Sequence, residues 1–301
     1  MSTPLLKVGL IQQCCTNETE HNLNAVSSAI QQAAASGARL IVLQELFANH
    51  YFCQSACQEA FRLAEDIPGP TVEYLVALAT QLTVVIVAPI FERRAPGLYH
   101  NTAVVIETDG SIAGKYRKMH IPDDPGYHEK YYFAPGDLGF TPVETSLGLL
   151  GILICWDQWF PEAARLMALA GADILISPTA IGWDRHDTAA EQLRQLDAWQ
   201  TIQRSHAIAN ALPFISCNRT GFEAAPDKSN EGIDFWGSSF ICGPQGEILA
   251  QAPANEPAII LANLKPGKSE EIRKTWPFLR DRRTDAYSGL MQRFLGRAPT
   301  G

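Results

Sequence analysis

Basic residues are what this sequence is short of. Lys and Arg number 24 against 32 Asp and Glu, a formal net charge of -8. A nucleic-acid partner needs a concentrated basic surface, so that class is set aside. Long apolar runs are missing too, since no stretch approaches the roughly 18 residues of a membrane span. The opening "MSTPLLKVGLIQQCC" turns polar too early for a signal peptide and reads as a first strand. Together these features predict a cytoplasmic protein with no membrane partner. Cysteine is present, but not as a framework. Cys14, Cys15, Cys53, Cys57, Cys155, Cys217 and Cys242 are odd in number and scattered, which argues against disulfide staples. Cys53 and Cys57 have no second pair at zinc-ligand spacing. G-x-G-x-x-G and H-E-x-x-H are also absent, so neither dinucleotide binding nor a helix-borne metal pair is supported. No Ser/Gly-rich spacer, charge run or solenoid repeat divides the 301 residues. One domain is expected, with a core over about 5–265 and a C-terminal helix and polar tail over 266–301.

What is there is an alternation of Val/Ile-rich runs with segments of helical period. "LLKVGLIQ", "ARLIVLQE", "TVVIVAPIFER" and "LGLLGILIC" read as strands, and "LYHNTAVVIETDGSIAGKYRK" as a hairpin turned at Asp109-Gly110. Helices are expected from near Asn17 to just before Gly37, from Pro70, from Pro161 to about Ala170, and from about Asp187 to Ala211. "ADILISPTA", "PFISCNRTG", "FWGSSFICGPQGEILAQ" and "AIILANL" complete the strands. Hairpins threaded among βαβ passages predict an α/β fold that is not a purely parallel sheet.

Three strand ends carry chemistry. "LIVLQELF" leaves Glu45 where an apolar run stops, "GKYRKMHIP" leaves Lys118 after a hairpin strand, and "GILICWDQWFPE" leaves Cys155 after a third. In α/β folds the crevice beyond strand C-termini is where sites assemble. A lone Glu or Lys there is commonly a solvated turn residue; the three together suit acyl transfer through a thioester. A thiol near neutrality needs a base or cation to become nucleophilic. Glu45 would take the proton, Lys118 would hold the thiolate and the oxyanion, and the Trp156 N–H would add a donor worth about 3 kcal/mol. These groups suffice for hydrolysis, so no cofactor is expected. His120 offers a second base for the thiol, with loop ordering as its other reading.

"LQELF", "GKYRKMHIP" and "ILICWDQWFPEAARLMALAGADILISPTA" together resemble the three signature segments of the nitrilase superfamily, the carbon-nitrogen hydrolases. The resemblance extends from "KVGLIQ" to about "AIILANL". It implies a four-layer α-β-β-α sandwich, a Glu-Lys-Cys triad at Glu45, Lys118 and Cys155, and a homodimer or larger homo-oligomer. It also implies a second glutamate, for which Glu129 in "GYHEKYYFAPGD" is the match, although a loop carboxylate would look the same.

The segments "YFCQ" and "HIPDDPGY" with "CWDQWFPE" are similar to the branch that hydrolyses carbamoylated diamines such as N-carbamoylputrescine, and so imply a small ureido-amine substrate. Relatives that bind carboxylate-ended substrates tend to carry an arginine shortly after the nucleophile; here none occurs until Arg165. A guanidinium clamps a carboxylate and repels an ammonium. Indoles and carboxylates suit an alkylammonium instead, which makes Trp156 and Trp159 candidate walls and Asp123 or Asp184 the candidate partner of its charged end. Ordinary packing is the other reading of the tryptophans, and Asp157 is read as tying the nucleophile loop to backbone donors. The alternatives are another ureido or ω-amide hydrolase, β-ureidopropionase-like, or a catalytically idle binding member.

Overall fold

The structure is a computed structural model that describes residues 5–225 and 232–296. The chain begins with β1 (Leu6–Gln12), α1 (Thr19–Ala35), β2 (Leu40–Leu43), α2 (Pro70–Leu82), β3 (Val85–Ala95), β4 (Leu98–Ile106) and β5 (Ile112–Arg117). It continues through β6 (Val143–Thr145), β7 (Gly148–Ile152), α3 (Pro161–Leu169), β8 (Ile174–Pro178), β9 (Gly182–Asp184) and α4 (Ala189–Asn210). Last come β10 (Phe214–Cys217), β11 (Thr220–Glu223), β12 (Ile233–Trp236), β13 (Phe240–Cys242), β14 (Ile248–Gln251), β15 (Ala258–Leu264) and α5 (Lys268–Thr275).

Two six-stranded sheets have the orders β15-β1-β2-β3-β4-β5 and β14-β13-β10-β8-β7-β6. Each has three parallel strands at its centre, β1-β2-β3 in one and β7-β8-β10 in the other. Each is closed by one antiparallel strand on one side and two on the other. The layering follows from the two-residue period of the strands. Val8, Leu10, Leu40, Val42, Val85, Val87, Ala103 and Val105 belong to the cluster shared with the second sheet. Their neighbours Ile11, Ile41, Leu43, Ile86, Ala88, Val104 and Ile106 face the other way, onto Val26, Ile30, Val72 and Leu75 of α1 and α2. On the far side Ala163, Met167, Trp199 and Ala207 of α3 and α4 pack on the second sheet. The result is a four-layer α-β-β-α sandwich. With both faces covered, the central strands read as continuous apolar runs, and each buried Val or Ile contributes about 1.5–3 kcal/mol.

Pro70 occupies the first turn of α2 and Pro161 that of α3, where the missing N–H would have no helical partner. The β4–β5 hairpin turns at Gly110, whose φ of 85° favours glycine. The helix expected from Asn17 starts at Thr19, and the one expected from Asp187 starts at Ala189, capped by the Thr188 hydroxyl.

Three expectations fail. "PFISCNRTG" is not one strand: it breaks after Cys217, and β11 joins a separate three-stranded sheet, β11-β12-β9. "FWGSSFIC" likewise splits between β12 and β13, because Gly237 and Ser238 take φ of 49° and 54° and turn the chain from one sheet to the other. The described part of the tail is polar only in part: after α5 it also exposes Trp276, Phe278, Leu290, Met291 and Phe294. Among the described residues no helix is long and apolar enough to cross a membrane.

Candidate active site

Strands of both sheets deliver polar residues to one place. Glu45 lies two residues beyond β2, Lys118 directly follows β5, and Cys155 lies three residues beyond β7. Glu129 opens a short 3-10 turn, Glu129–Tyr131, and Cys155 opens another, Cys155–Trp159. Apart from Cys155 at 4% exposure, all are essentially inaccessible. Lys118 Nζ donates to Glu45 Oε1 at 2.8 Å and to Glu129 Oε2 at 2.6 Å. An ammonium held between two carboxylates has little freedom to move, and its charge is matched where water cannot do so.

The remaining acceptors of the cluster are unevenly satisfied. Asn101 Nδ2 donates to the same Glu45 Oε1 at 2.7 Å, whereas Glu45 Oε2 is buried with no partner among the described residues. Glu129 Oε1 accepts from the Tyr51 hydroxyl at 2.7 Å. Glu45 therefore has one oxygen held and one open to a proton donor.

The nucleophile turn is built by local constraint. Cys155 has φ of +46°, a left-handed conformation that costs a non-glycine residue on the order of 1 kcal/mol or more. Asp157 sustains it: its carboxylate accepts from Ile154 N at 3.1 Å, from His120 N at 2.9 Å and from the Tyr116 hydroxyl at 2.8 Å. His120 Nδ1 also meets Asp157 at 2.7 Å, and its ring stacks on Phe160 at 3.8 Å. The histidine is thus engaged by Asp157, while the Cys155 Sγ faces the Ala180 carbonyl at 3.8 Å. Gln158 continues the turn, taking bonds from Ser177, Thr179 and Trp199.

Electrostatics couple the four groups. Burial pushes the Cys155 thiol well up, the Glu45 charge adds to this, and Lys118 opposes it. Burial alone would lower Lys118, but Glu129 and Glu45 outweigh it and hold the ammonium well above the usual lysine range. Burial likewise raises Glu129, against the pull of Lys118 and with the push of Glu45. Burial thus favours the neutral thiol, and Lys118 is the charge that opposes this.

A family model for carbon-nitrogen hydrolases matches residues 7–274. The chain belongs to the carbon-nitrogen hydrolases. This hydrolase is 43% identical over 289 residues to the N-carbamoylputrescine amidase of Solanum lycopersicum, covering 95% of each chain. It is 40% identical over 290 residues to a citrullinase of Francisella tularensis, covering 96% of this chain and 99% of that one. A solved carbon-nitrogen hydrolase from Helicobacter pylori superposes with a TM-score of 0.94 at 49% identity, covering 97% of this chain and 100% of that one. Enzymes of this family act on C–N bonds of amides.

The outer candidates of the hydrolase differ in place: the two tryptophans belong to the Cys155–Trp159 turn and the two aspartates are exposed. Trp156 is half-buried directly after the nucleophile. Trp159 is half-buried against the main core, and its indole N–H has no acceptor among the described residues. Asp123 is exposed 3.5 Å from His128, and Asp184 is exposed at the end of β9, accepting from His186 N. Neither aspartate touches the lysine or its two glutamates. Arg165 is remote from the nucleophile, donating to the Ala209 carbonyl of α4. Sequence reasoning missed Asn101 and Tyr51, which bond to Glu45 and Glu129. The available signal for Asn101 was "YHNT", a polar patch inside a strand pattern; nothing local pointed from Tyr51 to Glu129, because only folding brings their elements together.

Proposed function

We propose that this hydrolase converts N-carbamoylputrescine to putrescine, carbon dioxide and ammonia. One observation carries the chemistry: Glu45 keeps an Oε2 that is unpartnered among the described residues, beside an ammonium that both glutamates immobilise. Glu45 Oε2 takes the thiol proton as Cys155 Sγ bonds to the ureido carbon. The carbonyl electron pair moves to oxygen, where Lys118 Nζ and the Trp156 N–H hold it. Collapse breaks the bond to the terminal nitrogen, which leaves as ammonia with the proton from Glu45. Water then adds to the carbamoyl thioester with Glu45 again as base, and the thiol departs reprotonated. The carbamic acid so released loses carbon dioxide to leave the diamine. Glu129 orients Lys118 throughout.

The substrate assignment is supported by the amidase relatives at 40–43% identity and by the absence of a guanidinium in the nucleophile turn. Trp156 and Trp159 are assigned to the aliphatic tail, and Asp123 or Asp184 to the ammonium end. The homodimer or larger assembly implied by the family belongs to the same proposal, with Leu290, Met291 and Phe294 as exposed apolar surface. So does a cytoplasmic location, where seven unpaired thiols stay reduced.

Ammonia release from N-carbamoylputrescine, citrulline, N-carbamoyl-β-alanine and a short ω-amide tests the reading. The expected order places the carbamoylated diamine first by kcat/KM. A preference for citrulline, N-carbamoyl-β-alanine or the ω-amide defeats the amine-end assignment and leaves the thiol chemistry standing. No ammonia from any of the four defeats both.

A further inference from the structure

A second buried ion pair stands behind the first. Arg219 is completely inaccessible, and its Nη1 meets Glu223 Oε1 at 2.6 Å. The same guanidinium donates to three backbone carbonyls of one loop: Glu45 O at 3.0 Å, Leu46 O at 2.9 Å and Asn49 O at 3.0 Å. Leu46 sits at φ of 49°, which an unsupported leucine rarely adopts. The other oxygen of Glu223 accepts from Tyr51 N at 2.6 Å. Tyr51 is the residue whose hydroxyl holds Glu129, and the Arg219 guanidinium lies 5.8 Å from its ring centroid. One ion pair on and beside β11 therefore grips both ends of the 45–51 loop, which carries Glu45 at one end and the support of Glu129 at the other.

We infer that Arg219 and Glu223 are positioning residues for hydrolysis: they fix the loop that aims Glu45 at the thiol and Tyr51 at Glu129. The inference rests on the proposed role of Glu45. The geometry suits that task better than generic stabilisation. A guanidinium satisfies several carbonyls at fixed angles, and here all three carbonyls belong to the base-carrying loop. Arg219 also places a fixed positive charge behind Glu45, whose charge helps to hold the guanidinium protonated. The other groups that interact with the Glu45 carboxylate are Lys118, Asn101, Glu129, Cys155, Tyr51, Cys53 and Tyr127.

The test uses the full chain with Arg219→Lys, Arg219→Met, Glu223→Gln and Glu45→Gln, reading thermal unfolding, kcat, KM and the pH profile of kcat/KM. Arg219→Lys and Glu223→Gln are expected to lower kcat at least about tenfold with KM within about threefold, because substrate binding does not require the aimed base. Arg219→Met, which removes the charge as well as the fork, is expected also to move the acid limb to higher pH. Arg219→Lys, which keeps the charge, leaves that limb in place. If the methionine variant does not fold, Glu223→Gln, which conserves volume, decides. Folded variants with lowered melting temperature but unchanged kcat and an unmoved acid limb overturn the inference. Glu45→Gln separates the two readings. Retained turnover there removes the base assignment itself, whereas its loss alongside unaffected Arg219 and Glu223 variants removes only the positioning role.

Discussion

Replacing Glu129 by glutamine asks whether the second carboxylate is part of the machinery or an ordinary loop acid. The side chain keeps its size but exchanges two acceptor oxygens for one acceptor and one donor. In the native site both oxygens are used, Oε2 by Lys118 at 2.6 Å and Oε1 by the Tyr51 hydroxyl at 2.7 Å. Glu129→Gln must leave one of these donors facing an N–H group. A hydrogen bond to a charged partner is worth about 1.5–3 kcal/mol, and about 1.4 kcal/mol corresponds to tenfold. If that energy is expressed in the placement of Lys118 against the oxyanion, kcat falls about 10- to 150-fold. KM changes little, because the lost contact is to lysine rather than to substrate. Initial rates of ammonia release over a range of substrate concentrations give both parameters. Tyr51→Phe, alone and combined with Glu129→Gln, supplies a double-mutant cycle, and less-than-additive loss is expected because both act on one hydrogen-bonded chain. A Glu129→Gln enzyme with kcat within threefold of the parent refutes the argument, as does an effect confined to KM.

Cys155→Ser is expected to lose turnover by at least about a thousandfold while unfolding at nearly the same temperature, because a buried hydroxyl is far harder to ionise than a thiol. Activity within tenfold of the parent contradicts covalent thiol catalysis. A separate prediction concerns acid stability. Burial pushes Glu92 up, but bonds from Arg117 and Thr102 and the charge of Lys115 outweigh it and hold the carboxyl down at about 2, against 4.5 for the unperturbed group. Arg117 meets it through two nitrogens at 2.6 and 2.7 Å. A depressed folded-state value stabilises the fold above the unfolded value, and that contribution is lost as pH falls toward 2. The full shift corresponds to at most on the order of 3 kcal/mol. Urea unfolding at pH 7, 4 and 3 is expected to show Glu92→Gln less stable at pH 7 and flatter toward low pH. Parallel curves for the two proteins exclude Glu92 as an acid-sensitive group.

The order of strands and helices was legible in the chain because periodicity is a local property. Continuous apolar runs mark central strands such as "LIVL", and prolines mark the starts of α2 and α3. The placement of Glu45, Lys118 and Cys155 at strand ends was equally visible, since a strand's end is marked by its own residues. Where sequence reasoning failed, the missing information lay elsewhere in the fold. Nothing within "FWGSSFIC" says that its halves serve different sheets; that is decided by the pairing of β12 with β11 and β9 and of β13 with β10 and β14.

The sequence by itself determined which elements form, which faces they bury and which reactive groups wait at their ends. Tertiary structure alone decided which of those groups meet. Lys118 reaches a glutamate 73 positions away, and Arg219 reaches the loop of that glutamate from 174 positions away. The first contact exists because β2 and β5 belong to one sheet, and the second because the other sheet packs against it and brings the chain after β10 to the end of β2. No periodic pattern along the chain encodes that convergence, since hydrogen bonds depend on distance in space and not on separation in sequence.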